Sequence, residues 1–211
     1  MAELISCRSW SIIPACDVDS LDKLSQLVEA TFEVPGISAY KAGAIPLGVQ
    51  YGLKELVKTI RDYTDEIPII YDHQKGGTDI PELGPKFAKA VNNSGADAVI
   101  LFPFAGAATE RAWIAACLKE GLEVLVGGHM TQAEFLETEG GFIAATGPEG
   151  MYRIAAENGV THFVVPGNRA DFVLKYRKFL ERILGAGNFV LYAPGFISQG
   201  GDITETGKVA G

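Results

Sequence analysis

The sequence predicts an α/β fold of the (β/α)8 barrel class, forming a single domain over residues 1–211 that lacks its eighth β/α unit in the given chain. Short apolar runs alternate with helix-like stretches, and the runs are continuously apolar, which is typical of parallel strands covered by helices. The repeat recurs roughly every 25 to 40 residues, more evenly than in a doubly wound sheet. The apolar runs occupy residues 11–17, 37–41, 67–72, 96–102, 123–126, 161–165 and 188–192.

Helical spacing of apolar residues marks the segments between these runs. Residues 21–32 place Leu24, Leu27 and Val28 on one side of a helix. Other segments are rich in alanine and long side chains, which have high helix propensity. We predict further helices at residues 85–91, 107–118 and 175–182.

The C-terminal segment bears on closure of the barrel. Residues 202–211 are predicted to begin the seventh helix, and no eighth strand follows them in the sequence. An unclosed barrel would expose two sheet edges, which proteins usually protect. We therefore expect that the given chain is truncated at its C-terminus.

Composition excludes several classes of protein. The chain has 211 residues, of which 47% are hydrophobic, and a net charge of -8. An acidic protein of this kind does not attract nucleic-acid backbones, and no apolar run approaches the roughly 18 to 20 residues of a membrane helix. Cys7, Cys16 and Cys117 lack paired spacing, and no signal peptide precedes them. We expect a soluble, cytoplasmic protein with reduced thiols.

Polar residues follow most of the predicted strands, and in a barrel these strand ends meet at the rim that carries active sites. The densest group is Asp72, Lys75 and Asp79, in which two carboxylates flank an amine. Like charges so close together destabilise a fold unless a cation lies between them, so the group indicates chemistry. The alternative is a solvated, charged turn.

Four segments carry motifs of one enzyme family. They are A-C-D-V at 15–18, Y-K at 40–41, D-x-x-K-x-x-x-D-I-P at 72–81, and A-P-G followed by Q-G-G at 193–201. Weaker matches are M-T at 130–131 and P-G-N-R at 166–169. Together they resemble orotidine 5′-monophosphate decarboxylase of the archaeal type, over essentially the whole chain. The glycine-rich segment at 193–201 is the most specific match.

The resemblance implies a cofactor-free lyase that converts orotidine 5′-monophosphate to uridine 5′-monophosphate in pyrimidine biosynthesis. The catalytic residues would be Lys75, Asp72, Asp79 and Lys41, and no metal or organic cofactor would be needed. A fixed ammonium beside C6 of the pyrimidine can stabilise the carbanion left by CO2 and then donate a proton to it. Lys75 would be that acid, held by Lys41 and Asp79. The resemblance also implies a homodimer in which Asp79 reaches the neighbouring site.

Substrate binding is likewise implied by the resemblance. Asp17 would bind the ribose, the Thr131 hydroxyl would meet the pyrimidine, and Gln199 with its neighbouring glycines would hold the phosphate. Remote binding of the phosphate would offset the ordering of the ring at the reacting centre. The full set of expected binding residues is Asp17, Thr131, Pro194, Gly195, Gln199, Gly200, Gly201 and Arg169.

The central motif departs from the family pattern D-x-K-x-x-D. On a regular strand Asp72 and Gln74 would share one face while Lys75 pointed to the other. We therefore expect a bulge before Lys75, with the glycines at 76–77 giving the turn its conformational freedom. A family Gly-Arg pair that clamps the phosphate would lie beyond Gly211.

The sequence leaves two other functions open. One is a Mg²⁺-dependent sugar-phosphate decarboxylase resembling the 3-keto-gulonate 6-phosphate type, although Lys41 occupies the strand end where its acidic ligand would be expected. The other is a catalytically idle nucleotide-binding homologue, which the altered motif spacing would suit. His73 and His129 could contact the site or serve the fold. Three scattered histidines without nearby ligands do not predict a zinc site.

Overall fold

The computed structural model describes residues 10–73, 76–196 and 199–210, and the chain forms two compact units. The first unit consists of Met1–Gly76, Glu82–Leu101 and Ala115–Val124. The second unit consists of Gly77–Pro81, Phe102–Ile114 and Leu125–Gly211.

Strands and helices alternate along the described chain, as the sequence predicts. The strands are β1 (Tyr40–Gly43), β2 (Ile69–Asp72), β3 (Ala98–Leu101), β4 (Glu123–Gly127), β5 (His162–Val164) and β6 (Val190–Tyr192). The helices are α1 (Leu21–Glu29), α2 (Val49–Tyr51), α3 (Leu53–Arg61), α4 (Gly84–Ser94), α5 (Ala107–Lys119), α6 (Gly147–Glu157), α7 (Ala170–Leu184) and α8 (Ile203–Ala210).

In the first unit, β1, β2 and β3 are parallel neighbours in chain order. Gly43 at the end of β1 lies opposite Asp72 at the end of β2. All four residues of β3 are buried, which is the pattern of a parallel strand covered on both faces. The register therefore brings the carboxyl ends of β1 and β2 to the same level.

The predicted strand at residues 11–17 forms only as two isolated bridges, Ile12 with Ile37 and Ala15 with Lys41. The segment still runs alongside β1, because Lys41 donates to the Pro14 carbonyl at 3.0 Å and Cys16 donates to the Lys41 carbonyl at 2.9 Å. Pro14 has no N–H to donate to a ladder. The expectation of a regular first strand was therefore wrong for residues 11–17.

In the second unit, β5 pairs in parallel with the end of β4 and with β6. Helices α6 and α7 contribute a buried aromatic layer in which Tyr152 donates its hydroxyl hydrogen to the Val164 carbonyl at 2.8 Å. The predicted C-terminal helix is present as α8, and the Asp202 carboxylate accepts the Thr204 N–H at its start. Parallel strands joined by helices are thus found in both units.

Candidate active site

An ionic cluster, defined here as Asp17, Lys41 and Asp72, lies at the strand ends of the first unit. The Lys41 ammonium donates to Asp72 Oδ2 at 3.0 Å and to Asp17 Oδ2 at 3.1 Å. The Lys41 and Asp72 side chains are largely buried, whereas 39% of the Asp17 side chain is exposed. Three of the residues expected at the site therefore meet in one group.

Gly43 makes room for this cluster and was not identified from the sequence. It lies two residues after Lys41 on β1, so the two positions share a face of the strand. A Cβ built at Gly43 would overlap Asp17 Oδ1. The signal that could have revealed it is a glycine two residues after the charged Lys41, on the same face of the strand.

Opposite charges dominate the electrostatics of the cluster. Burial by itself lowers the pKa of Lys41, but attraction to Asp72 and then to Asp17 outweighs burial and raises that pKa above its usual value. The ammonium is therefore charged at neutral pH. Burial, with repulsion by Asp17, outweighs attraction by Lys41 and raises the pKa of the adjacent Cys16 thiol to about 12, so this thiol is protonated at neutral pH.

The segment that follows Asp72 is only partly described. The His73 ring lies beside Tyr71 and Phe87, with Nδ1 2.7 Å from the Tyr71 hydroxyl. Lys75, the expected proton donor, and the expected bulge at Gln74 lie outside the described residues. Both stay predictions.

Asp79, the second carboxylate of the motif, belongs to the second unit and is exposed. Its Oδ1 accepts the N–H of Ile80 at 2.7 Å. Helix α5 contacts the same backbone, because Thr109 donates to the Asp79 carbonyl at 2.8 Å and Trp113 donates to the Ile80 carbonyl at 3.0 Å. These two helix residues were not among those expected at the site.

A loop cluster, defined here as Thr131, Asn168, Gly195, Gln199 and Gly201, lies in the second unit. Gly195 has φ +107°, and a Cβ there would approach Thr131 Cγ2 to 3.0 Å and Gln199 Oε1 to 3.3 Å. Both the left-handed backbone and the space at this position favour glycine. The Gly201 N–H donates to the Gly195 carbonyl at 3.0 Å, which closes the loop.

The rest of the expected binding segment surrounds this cluster. The Pro194 carbonyl accepts the Gly167 N–H at 2.8 Å, and Asn168 donates its side-chain N–H to the Thr131 carbonyl at 3.0 Å. Gln199 and Gly200 are exposed. Expected binding residues from two strand ends, those of β4 and β6, therefore come together around Gly195, and Asn168 after β5 lies beside them.

Arg169 is already engaged by carboxylates of the second unit. Its guanidinium donates to Glu139 at 2.9 Å, lies 3.5 Å from Asp171 and stacks over the Phe172 ring at 4.5 Å. A planar guanidinium is well suited to such combined pairing and stacking.

His129 lies in the interior of the second unit. It is 2% exposed, and its Nδ1 is 2.8 Å from the Tyr176 hydroxyl. The Phe135 and Phe172 rings pack against it. Burial lowers the pKa of His129 to about 4, so the imidazole is neutral at physiological pH.

Neither a metal-binding group nor a membrane-spanning helix is found among the residues that the structure describes. Among residues 10–73, 76–196 and 199–210, no group of three or more His, Cys, Asp or Glu side chains is placed to hold a metal ion. Nor does this part of the chain contain a helix long and apolar enough to cross a membrane.

Comparison with known proteins decides the family. No family model matches the chain. The chain is 30% identical over 197 residues to orotidine 5′-phosphate decarboxylase of Methanosarcina barkeri, an alignment that covers 92% of this chain and 79% of the relative. The chain belongs to the orotidine 5′-phosphate decarboxylase family. A second member of that family, from Methanosarcina mazei, is 29% identical over 201 residues, covering 94% of this chain and 81% of the relative.

Solved structures of orotidine 5′-phosphate decarboxylases have the same fold. The Methanocaldococcus jannaschii enzyme, complexed with the inhibitor BMP, matches with a TM-score of 0.76 at 22% identity, covering 96% of this chain and 85% of that one. The Pyrococcus horikoshii enzyme matches with a TM-score of 0.70 at 24% identity, covering 93% and 84%. The family resemblance and the parallel α/β barrel class are thus confirmed, while the missing eighth unit stays a prediction.

Proposed function

We propose that this protein catalyses the decarboxylation of orotidine 5′-monophosphate to uridine 5′-monophosphate in pyrimidine biosynthesis. The observation that carries the proposal is the ionic cluster, in which one buried ammonium joins two carboxylates at strand ends in a chain of this family. Such a group holds charge in a fixed geometry, which is what stabilisation of a charged transition state requires.

The reaction breaks the bond between C6 and the carboxylate carbon. CO2 leaves, the electron pair stays on C6, and an ammonium proton then forms the new C6–H bond. We assign this proton to Lys75, which regains a proton from solvent after turnover. A cation beside C6 lowers the energy of the carbanion before it donates the proton.

Lys41 and Asp72 have supporting roles in this proposal. The Lys41 ammonium donates a hydrogen bond to Asp72 Oδ2 at 3.0 Å, and this bond fixes the position of the carboxylate. A fixed carboxylate next to the substrate carboxylate adds a repulsion that is relieved as CO2 departs. It also attracts the ammonium that donates the proton. Asp79 is assigned the same attraction toward Lys75 of the partner subunit.

The loop cluster is proposed to bind the phosphate. Gly200 has φ +79° and is exposed, so its backbone is open to a ligand without interference from a side chain. Gln199 supplies a side-chain amide, and Pro194, Gly195 and Gly201 shape the loop. Arg169 would join them only by exchanging part of its pairing with Glu139 and Asp171.

The remaining expected contacts are assigned one by one. Asp17, the most exposed member of the ionic cluster, is proposed to bind the ribose. The Thr131 hydroxyl is proposed to meet the pyrimidine. The exposed Asp79 carboxylate is proposed to reach the site of a second copy in a homodimer, which sedimentation or light scattering of the protein would test.

Incubation with orotidine 5′-monophosphate, followed by loss of its ultraviolet absorbance, tests the function. Lys75→Ala should lower kcat by several orders of magnitude while nucleotide binding persists, because the lost interaction belongs to the transition state. Gln199→Ala should raise KM more than it lowers kcat. Wild-type turnover in Lys75→Ala would refute the assignment of the proton donor.

Two controls separate the competing functions. A chelator should leave the rate unchanged, whereas a chelator-sensitive rate would favour the Mg²⁺-dependent sugar-phosphate class. Binding of uridine 5′-monophosphate without any turnover of orotidine 5′-monophosphate would favour the idle homologue.

A further inference from the structure

We propose that Thr109 and Trp113 of α5 are positioning residues that hold Asp79 in place for decarboxylation, an inference that rests on the proposed function. Both side chains are almost fully buried, at 4% exposure, although each carries a hydrogen-bond donor. Buried donors need acceptors, and the acceptors here are the successive carbonyls of Asp79 and Ile80. The two donors lie four residues apart and so share one face of the helix.

Three hydrogen bonds join this short segment to the chain around α5. The Thr78 hydroxyl donates to the Phe102 carbonyl at 2.7 Å, Thr109 donates to the Asp79 carbonyl at 2.8 Å, and Trp113 donates to the Ile80 carbonyl at 3.0 Å. Just before it, Gly77 has φ +81°, and a Cβ there would lie 3.2 Å from Pro103 Cα. Each of the three consecutive residues 78–80 is thus hydrogen-bonded to a different residue in or next to α5.

The bond from Thr109 also determines where the Asp79 carboxylate lies. In a trans peptide the carbonyl of one residue and the N–H of the next point in opposite directions. Thr109 holds the carbonyl side of the peptide between Asp79 and Ile80, and Asp79 Oδ1 accepts the N–H on the other side at 2.7 Å. A change in the tilt of this peptide plane would therefore move the carboxylate.

The two carboxylates of the motif consequently have different supports. Asp72 ends β2 and is bonded to Lys41, so the sheet of the first unit fixes it. Asp79 lies on an exposed segment without regular secondary structure, and α5 supplies the bonds to its backbone. Misplacement of a charged group by about 1 Å can cost on the order of 100-fold in rate. Loss of the α5 bonds should therefore be visible in turnover.

The first experiment compares near-isosteric variants in the decarboxylation assay. Thr109→Val removes the donor and keeps the shape, so kcat should fall about 10- to 100-fold, whereas KM should change less than about threefold because the loop cluster is untouched. Thr109→Ser keeps the hydroxyl and should restore most of the rate. Trp113→Phe should lower kcat about 3- to 30-fold. Equal kcat losses in Thr109→Val and Thr109→Ser would overturn the proposal.

A double-mutant cycle asks whether the effect passes through Asp79. If Thr109 acts by placing that carboxylate, Thr109→Val should cost little more once Asp79→Ala has been introduced. Undiminished loss in the Asp79→Ala background would show that Thr109 acts by another route and would overturn the proposal. Melting temperatures of all variants separate this coupling from loss of folded enzyme.

A readout without substrate separates this inference from the proposed function. Absence of wild-type turnover would refute the function alone. Exchange of the Ile80 amide hydrogen, followed by NMR, still reports on the bond to Asp79. Thr109→Val should accelerate this exchange several-fold, and Thr109→Ser should not. Unchanged exchange in Thr109→Val would overturn the positioning role.

Discussion

Ionisable side chains are stabilised in opposite ways in the ionic cluster of the first unit and in the interior of the second. In the first, Lys41 lies between two carboxylates, and they raise its pKa despite its burial. In the second, Glu110 is 1% exposed and its Oε1 has no hydrogen-bond partner among the described residues. Burial outweighs attraction by Arg111 and raises the pKa of Glu110 to about 8.

The comparison shows that burial alone does not preserve a charge for catalysis. Glu110 and His129 are both neutral near pH 7, because desolvation disfavours their charged forms. Lys41, whose side chain is 18% exposed, keeps its charge because Asp72 and Asp17 are hydrogen-bonded to it. A largely buried side chain therefore stays charged where side chains of opposite charge pair with it, and this condition is met in the ionic cluster.

The largest effect is expected from removing the cation of the ionic cluster. Lys41→Met would leave Asp17 and Asp72 close together without the ammonium that joins them, so we expect kcat/KM for orotidine 5′-monophosphate to fall about 1,000-fold or more. Steady-state kinetics measure this loss.

The matched control is a second ion pair of the same unit. Arg61 donates to Asp97 at 2.7 Å, so Arg61→Gln also removes a cation from a carboxylate. This variant should lose stability while kcat/KM stays within about threefold of the wild type. Similar activity losses in both variants would mean that the ionic cluster serves the fold and not the reaction.

Glu110 offers the opposite test, in which replacing an ionisable side chain by a neutral one should raise the stability of the protein. Folding raises the pKa of this carboxyl from its usual value of 4.5 to about 8, so the folded protein binds the proton more tightly than the unfolded chain does. Its contribution to stability is therefore complete below pH 4.5 and is lost as the pH rises toward about 8. Glu110→Gln should be more stable than the wild type by about 1 to 3 kcal/mol at pH 8 and nearly equal to it at pH 4.

Urea unfolding across this pH range measures the difference. Arg111→Gln is a useful companion variant, because it removes the neighbouring charge and leaves the carboxyl in place. A stability difference between Glu110→Gln and the wild type that does not change with pH would show that folding does not shift the pKa of this carboxyl.

Gly43 sharpens the comparison by asking how closely the charges must approach. A methyl group at this position would displace Asp17, so Gly43→Ala should lower kcat/KM about tenfold. Gly150→Ala on α6 is the control, since a Cβ there meets nothing within 4 Å and alanine favours the helix. If both substitutions leave kcat/KM unchanged, Asp17 does not need its observed position.

His129 should show the smallest effect. Its pKa is lowered to about 4 in the folded protein, so its contribution is present above pH 6.5 and is lost as the pH falls toward 4. His129→Gln keeps a hydrogen-bonding side chain for Tyr176 and should reduce this acid sensitivity by about 1 kcal/mol. Thermal melts at pH 7 and pH 5 measure the change, and an unaltered pH dependence would contradict the assignment.

Residues at strand ends were predictable because parallel strands place their carboxyl ends together. Asp17, Lys41 and Asp72 follow from this rule, as does the grouping of Thr131, Gly195 and Gln199. The broken first strand could also have been anticipated, since Pro14 cannot complete a ladder. The sequence left open whether His129 contacts the site, and in the structure neighbouring aromatic rings enclose it.

Other features depend on contacts between distant segments. Trp113 is 33 residues from Ile80, and the sequence alone does not show which acceptor its indole N–H meets. The burial of Glu110 likewise shows no sign in the sequence, because a glutamate near the start of a helix is usually solvated. Such pairings follow from the three-dimensional packing, which local patterns do not encode.

The separate anchoring of Asp72 and Asp79 bears on how the motif can change in evolution. Neither anchor depends on the number of residues between them, because β2 fixes one end and α5 fixes the other. Insertions of one or two residues in such a connection cost little loop-closure entropy. We therefore expect relatives of this chain in which the number of residues between the two carboxylates differs. A search pattern should match the two carboxylate segments separately and allow a gap of variable length between them.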